Sequence, residues 1–295
     1  MSVLVFVLPG SDRLGHRLSE STGFPLGRVT TRRFPDDEVY VRVEAECGHA
    51  SVVLACSLDR PDRKLLPLLC LADAVRELGA VRVGLVAPYL AYLRQDRRFM
   101  PGEAVTSRTF SRLLSRSVDW LATVDPHLHR YASLSEVYDV PCRVVRAAPA
   151  LADWIAQHVD RPVIVGPDEE SQQWVSEVAV RAGASWLVMR KTRLGDRSVE
   201  VSAPDVSAYR QHTPVVVDDI VSSAQTMVAT VRTLVGAGLR APVCLGVHAL
   251  FSETAERDLR AAGAAEIVTT TTVPHATGRI DIVPLLAPAV RELAG

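Results

Sequence analysis

No apolar run in the 295-residue sequence approaches the length of a membrane span. The first apolar stretch, in "MSVLVFVLPGSD", is short, has no basic segment before it and runs straight into Pro9-Gly10. It reads as a first strand ending in a turn, not as a signal peptide. Nor is there an excess of one charge: 33 Lys and Arg stand against 34 Asp and Glu, a formal net charge of -1. That argues against a surface built mainly for nucleic acid, while leaving room for a local basic pocket. No two of the five cysteines (Cys47, Cys56, Cys70, Cys142, Cys244) are spaced as CxxC. A zinc site is therefore not indicated, and four of the five read as small buried hydrophobes of a reducing compartment. A Walker A sequence is also missing, so any ATP must be held in another way. One apparent dinucleotide motif, "GAGLRA" from Gly236 to Ala241, follows a helix pattern and precedes a strand pattern. Pyrophosphate binding needs the reverse order, so the glycines read as a helix C-cap.

Hydrophobic residues make up 48% of the chain and charged residues 23%, which suits a sizeable core. The length allows one large α/β domain or two of about 150 residues. Strand and helix patterns alternate throughout. "SVVLACSL", "KLLPLLCLADAVRELGA" and "VRVGLVAPYL" form a strand, an amphipathic helix and a second strand. The figure returns in "TPVVVDDI", "SSAQTMVATVRTLVGAGL" and "APVCLGVHALF". Such βαβ units imply parallel sheets flanked by helices. We expect two similar α/β domains, 1–145 and 146–295, with the C-terminal helix free to pack back on the first. The expected setting is soluble and cytoplasmic.

The segment "VVVDDIVSSAQTM", Val215 to Met227, carries the strongest chemical signal. A buried strand feeding a short loop and a helix brings backbone N–H groups and the positive helix end to one spot, which suits phosphate. Ser222, Ser223 and Thr226 add hydroxyl donors. Asp218 and Asp219 repel a phosphate but can accept from two neighbouring hydroxyls, such as a ribose diol. A sugar with a phosphate at one end satisfies both halves. A capped helix with two solvated aspartates accounts for the same residues without a ligand.

This segment resembles the ribose-phosphate loop of phosphoribosyltransferases and of ribose-phosphate diphosphokinases, where two Asp end the strand and a turn rich in small residues holds the 5-phosphate. The common loop ends in Gly-Gly-Thr or Ala-Gly-Thr where this chain has Ala224-Gln225-Thr226, so Gln225 stands in a glycine's place. Further segments resemble the diphosphokinases in particular. "RRFPDDEVYVRV", with Asp37 where glycine is usual, resembles the segment that reaches the ATP of a neighbouring subunit; this implies contacts from Phe34, Asp36, Asp37 and Glu38. "APYLAYLRQDRRFMPGEAVTSRTFSRLL" implies a nucleotide site lined by Arg94, Gln95, Asp96 and Arg97, and clustered arginines are physically matched to a triphosphate. "TVDPHLHRY" implies that His127 lies at the metal and triphosphate, with Pro126 replacing the usual leucine. "VIVGPDEESQQWV" implies that Asp168 helps hold Mg²⁺, a cation that prefers oxygen ligands and retains waters. "WLVMRKTRLGDRSVEV" resembles the catalytic loop, which implies catalytic Lys191 and Arg193 at the mouth of a mobile segment containing Gly195 and Asp196.

The resemblance runs from about Val3 to Ala289, with the motifs in the family's order. It implies transfer of the diphosphoryl group of MgATP to the anomeric hydroxyl of ribose 5-phosphate, releasing AMP. Ribose 5-phosphate then binds residues 222–226, Asp218, Asp219 and Arg193 of the second domain. It further implies a homo-oligomer, dimer or hexamer, with a shared nucleotide site, and neither nucleic acid nor membrane as partner. Two other readings are a phosphoribosyltransferase that consumes the diphosphate and a non-catalytic regulatory relative. ATP-dependent turnover by the isolated chain separates the three.

Overall fold

Short Val- and Leu-rich segments alternate with stretches of helical period, and in the computed structural model they fold as parallel strands joined by helices. The structure describes residues 2–193, 199–202 and 204–295, with the backbone path alone at residue 173 and over 191–193 and 199–202. Its contacts divide the chain into two units, Met1–Arg146 together with Val283–Gly295, and Ala147–Ile282.

The first unit begins with β1 (Val3–Val7), α1 (Asp12–Thr22) and an antiparallel hairpin of β2 (Val29–Arg33) and β3 (Val39–Val43). It continues with β4 (Ser51–Ala55), α2 (Pro61–Glu77), β5 (Arg82–Val86), α3 (Thr106–Ser117), β6 (Trp120–Val124) and β7 (Cys142–Val145). Five strands form a parallel sheet in the order β1-β4-β5-β6-β7. Every residue of β4 and of β6 is buried, as expected of strands covered on both faces. In α2, Leu68, Leu71, Ala72 and Val75 are buried at the spacing of a single helix face. That helix starts at Pro61, three residues before the expected Lys64, because proline fits the first helical position, where no N–H is needed.

The second unit runs α4 (Ala148–His158), β8 (Pro162–Gly166), α5 (Gln172–Ala182), β9 (Ser185–Val188), and a hairpin of β10 (Arg190–Arg193) and β11 (Val199–Ser202). It continues with β12 (Thr213–Val221), α6 (Gln225–Gly236), β13 (Val243–Ala249), α7 (Glu253–Ala261), β14 (Glu266–Thr270) and β15 (Gly278–Ile280). Its six-stranded parallel sheet has the order β15-β14-β13-β12-β8-β9. Five of these strands repeat the order of the first sheet, β8-β12-β13-β14-β15 against β1-β4-β5-β6-β7, and β9 is added at the edge. Each unit also places a two-stranded hairpin before the second of these five strands, β4 in the first unit and β12 in the second. The internal echo of the sequence is thus a repeat of topology. The last helix, α8 (Val283–Ala294), belongs to the first unit and packs on α1 and on its sheet. The "GAGLRA" glycines do end a helix, with Gly238 in a left-handed turn at φ 80 beyond α6. Among the described residues no helix is long and apolar enough to cross a membrane.

Candidate active site

In a parallel sheet the loops after the strands' carboxyl ends gather at one edge, where ligands are bound in folds of this class. In the second unit these loops carry Asp168, after β8, and the Asp218–Thr226 stretch that ends β12 and opens α6. Val215, Val216 and Val217 are fully buried, whereas Asp218 and Asp219 keep part of their surface open. The Asp219 N–H donates to Asp218 Oδ1 at 3.0 Å, and the Ile220 N–H to Asp219 Oδ1 at 2.7 Å. Burial, then the charges of Asp219 and Asp168, hold the Asp218 carboxyl well above the ordinary carboxylate range. The influence of Asp168 reflects the pairing of β8 with β12. Asp168 accepts the Ser171 N–H at 3.3 Å on one carboxylate oxygen, and its carbonyl accepts the Ser171 hydroxyl at 2.5 Å.

Beyond the two aspartates the chain turns sharply. Ala224, buried, adopts a left-handed conformation (φ 57, ψ 6) and leads into α6, whose first residue is Gln225. No side chain caps this helix start, as at α1 to α5; at α7, by contrast, Ser252 accepts the Ala255 N–H at 3.4 Å. The first N–H groups of α6 are thus left for an external acceptor. Ser222 and Thr226 are half-buried beside them, and Ser223 and Gln225 are exposed. Lys191 and Arg193 lie on the backbone path of β10, opposite Val201 and Val199 of β11, and β11 packs on α6. Their side chains lie outside the described residues, as do Gly195 and Asp196.

In the first unit, Phe34 to Glu38 form the tip of the β2–β3 hairpin. The Phe34 N–H donates to the Glu38 carbonyl at 2.8 Å and the Asp37 N–H to the Phe34 carbonyl at 2.9 Å. Asp37 takes the left-handed conformation (φ 72), the one a glycine adopts freely. Asp36, Asp37 and Glu38 are exposed, and the Phe34 ring is 39% exposed with the Arg32 guanidinium 4.5 Å from its centre. Arg94 to Arg97 lie in the irregular segment between β5 and α3. Arg94 and Arg97 are exposed, and Gln95 Oε1 accepts the Thr106 hydroxyl at 3.1 Å. Asp96 is turned inward: it is 5% exposed, and both its carboxylate oxygens accept from Arg130 Nη1, at 2.7 and 3.0 Å. Through that contact it braces the segment that carries Arg94, Gln95 and Arg97. A cavity of about 710 Å³ is lined by Arg98, Arg108, Arg112, Tyr131 and Glu136, and by none of Arg94 to Arg97. His127 follows β6, half-buried, with its ring stacked 6.2 Å from that of His129. Two residues earlier, buried Asp125 adopts φ 33 with Arg146 Nη1 3.4 Å from its carboxylate.

No sequence pattern singles out Arg130 or Arg146, because the carboxylates they face are distant in the chain. Each is an ordinary arginine until the fold supplies its partner. Among the described residues, no cluster of three or more His, Cys, Asp or Glu can hold a metal ion unaided.

Residues 3–117 match the family described as the N-terminal domain of ribose phosphate pyrophosphokinase, and residues 135–280 the phosphoribosyl transferase domain. The chain is 37% identical to a ribose-phosphate pyrophosphokinase of Methanopyrus kandleri, covering 99% of this chain and 100% of the relative. It is 32% identical to one of Methanothermobacter thermautotrophicus, over 96% and 98%. In structure it resembles the phosphoribosylpyrophosphate synthetase of Mycobacterium smegmatis, with a TM-score of 0.86, 24% identity and 99% of each chain covered. That last likeness speaks for the two-unit α/β fold.

Proposed function

The chain belongs to the ribose-phosphate pyrophosphokinase family, and from that premise we propose how its residues share the reaction. The activity is transfer of the diphosphoryl group of ATP to the anomeric hydroxyl of D-ribose 5-phosphate, giving 5-phosphoribosyl 1-diphosphate and AMP for nucleotide biosynthesis. In our reading the second unit holds ribose 5-phosphate. Its phosphate sits on the N–H groups and hydroxyls of residues 222–226, and its diol donates to Asp218 and Asp219. The observation that carries this reading is the uncapped start of α6, entered through left-handed Ala224 a few residues beyond two carboxylates. Phe34 to Glu38 and Arg94 to Arg97 hold the nucleotide. Phe34 offers a ring face, the exposed carboxylates accept from amine and hydroxyl groups, and Arg94 and Arg97 face the phosphates.

The anomeric oxygen forms a bond to the β-phosphorus while the bond from that phosphorus to the α-phosphate oxygen breaks, and AMP leaves. Negative charge spreads over the bridging and equatorial oxygens, and Lys191, Arg193 and His127 stabilise it there. The carboxylates of Asp168, Asp218 and Asp219 act on one another, a surrounding that suits a hard divalent cation. Asp168 of the second unit and His127 of the first are each a candidate ligand for Mg²⁺, which would supply charge neutralisation at the triphosphate. We also read the protein as cytoplasmic, in keeping with five free cysteines, and as a homo-oligomer.

³¹P NMR of the purified protein with MgATP, with and without ribose 5-phosphate, tests the reading. AMP that appears only with ribose 5-phosphate, together with a new sugar-bound diphosphate, is the expected result. ADP in place of AMP would mean ordinary phosphoryl transfer and would sink the mechanism. No turnover in the presence of both substrates would overturn the catalytic reading.

A further inference from the structure

Both loops assigned above to the nucleotide are anchored on one turn of one helix. Pro67 lies inside α2 and has no N–H, so the Arg63 carbonyl four residues earlier lacks its helical hydrogen bond. Arg33, the last residue of β2, fills that place: its Nη2 donates to the Arg63 carbonyl at 3.1 Å. Through Nη1 the same guanidinium donates to the Asp37 carbonyl at 2.8 Å, with the Asp37 carboxylate 3.3 Å away. Asp37 is the left-handed corner of the hairpin tip, a conformation that favours glycine and here needs support. Arg33 therefore ties that corner to the helix. Adjacent to Arg63, Asp62 accepts a hydrogen bond from the Tyr92 hydroxyl. Tyr92 is also left-handed (φ 63), packs on Phe110 with ring centres 4.8 Å apart, and stands two residues before Arg94.

We propose that the first turn of α2 is the common mount of the two nucleotide segments. Arg33 and Asp62 are its positioning residues: Arg33 sets Phe34 to Glu38, and Asp62 sets Arg94 to Arg97 through Tyr92. This rests on the assignment of both segments to the nucleotide. A lysine does not replace Arg33, because the two acceptors are reached from separate nitrogens of a rigid, planar fork, a geometry that a single ammonium on a flexible stem does not reproduce. An asparagine does replace Asp62, since its amide oxygen still accepts from the tyrosine hydroxyl.

The test is steady-state kinetics of the full-length protein, following AMP while ATP and ribose 5-phosphate are varied separately. Arg33→Ala, Arg33→Lys and Asp62→Ala are each expected to raise KM for ATP about tenfold, the value of one charge-assisted hydrogen bond. KM for ribose 5-phosphate and kcat stay within about twofold, and Asp62→Asn behaves like wild type. Arg33→Lys keeps the charge and most of the bulk, so it carries the test where the alanine variant fails to fold. An unchanged KM for ATP overturns the mount, and so does an equal rise in both KM values, which signals general loosening. A wild type that forms no AMP sinks the nucleotide assignment and the mount with it; wild-type turnover with unshifted variants sinks the mount alone.

Discussion

Ala224 occupies a backbone conformation (φ 57, ψ 6) in which a Cβ costs roughly 1–2 kcal/mol. The sequence raised the question of a missing glycine at Gln225, yet the left-handed corner falls one residue earlier, and Gln225 is an exposed first helical residue. We expect Ala224→Gly to stabilise the protein by roughly 0.5–1 kcal/mol, the relief being partly offset by the freer unfolded chain. Gln225→Gly should cost up to about 1 kcal/mol through helix propensity and keep turnover. Thermal melts and AMP formation read both, and lost turnover in Gln225→Gly would mean that the amide contacts substrate. Asp218 makes a different trade. A carboxyl whose pKa is raised by folding contributes stability below its unfolded value of about 3.9 and loses it as pH rises through the folded value. At pH 7 its ionised form therefore weighs against the fold. Asp218→Asn is expected to melt higher than wild type at pH 7, to converge with it below about pH 4, and to bind ribose 5-phosphate more weakly. A variant that melts lower at pH 7 would contradict the stated balance.

At the scale of elements, β12 and β13 illustrate how the cradle is seated. Asp218 pairs with Gly246, and a Cβ added at Gly246 would stand 2.7 Å from Val221 Cγ2 and 3.4 Å from Thr269 Cγ2. Gly246→Ala must push the end of β12, so a loss of about 1–3 kcal/mol from overpacking is expected. A rise in KM for ribose 5-phosphate with KM for ATP unchanged should accompany it. Equal effects on both substrates would detach β12 from the ribose site. The β10–β11 hairpin carries Lys191 and Arg193, which we assign to charge stabilisation: Lys191→Ala and Arg193→Ala should each lower turnover by roughly 10²–10³ while ribose 5-phosphate still binds. Equilibrium binding beside single-turnover rates checks this, and wild-type rates in both variants would remove them from the transition state. Much of this layout was legible in the chain. Apolar period shows the βαβ figure, and strand-then-hydroxyl chemistry marks the Asp218–Thr226 turn to which we assign the cradle. What stayed hidden depends on partners remote in sequence: the inward turn of Asp96 needs Arg130, and the use of Pro67 inside α2 needs Arg33. Helical period also cannot show that α2 begins at Pro61, because Pro61 to Arg63 lie outside its apolar face.

The chain as a whole crosses between its units twice. Helix α4 follows β7 yet packs with α5 and β15 in the second unit, and α8 follows β15 yet packs on α1 and on β4 to β7 in the first. Each sheet is therefore covered in part by a helix that continues from the other sheet's last strand. A cut near residue 145 leaves the last helix free to return to the first domain but does not decide it, because the apolar face of α8 records that something is covered and not what. The buried face comprises Val283, Leu286, Ala287, Ala289, Val290 and Ala294. Arg291 donates to the Ser21 carbonyl and Glu292 accepts from Arg143, so polar contacts fix the helix on the first unit as well. Leu286 is fully buried, and Leu286→Ala should cost about 2–5 kcal/mol as a core truncation. Because the contacts of α8 lie in the first unit, the loss belongs there. Hydrogen exchange read by mass spectrometry is expected to show faster exchange in β4, β5 and β6 and unchanged protection in β12 and β13. Ribose 5-phosphate binding, which we assign to the second unit, should persist at denaturant concentrations that abolish protection in the first. A uniform loss over both sheets would mean instead that the two units open together, and that the returning helix locks the whole chain.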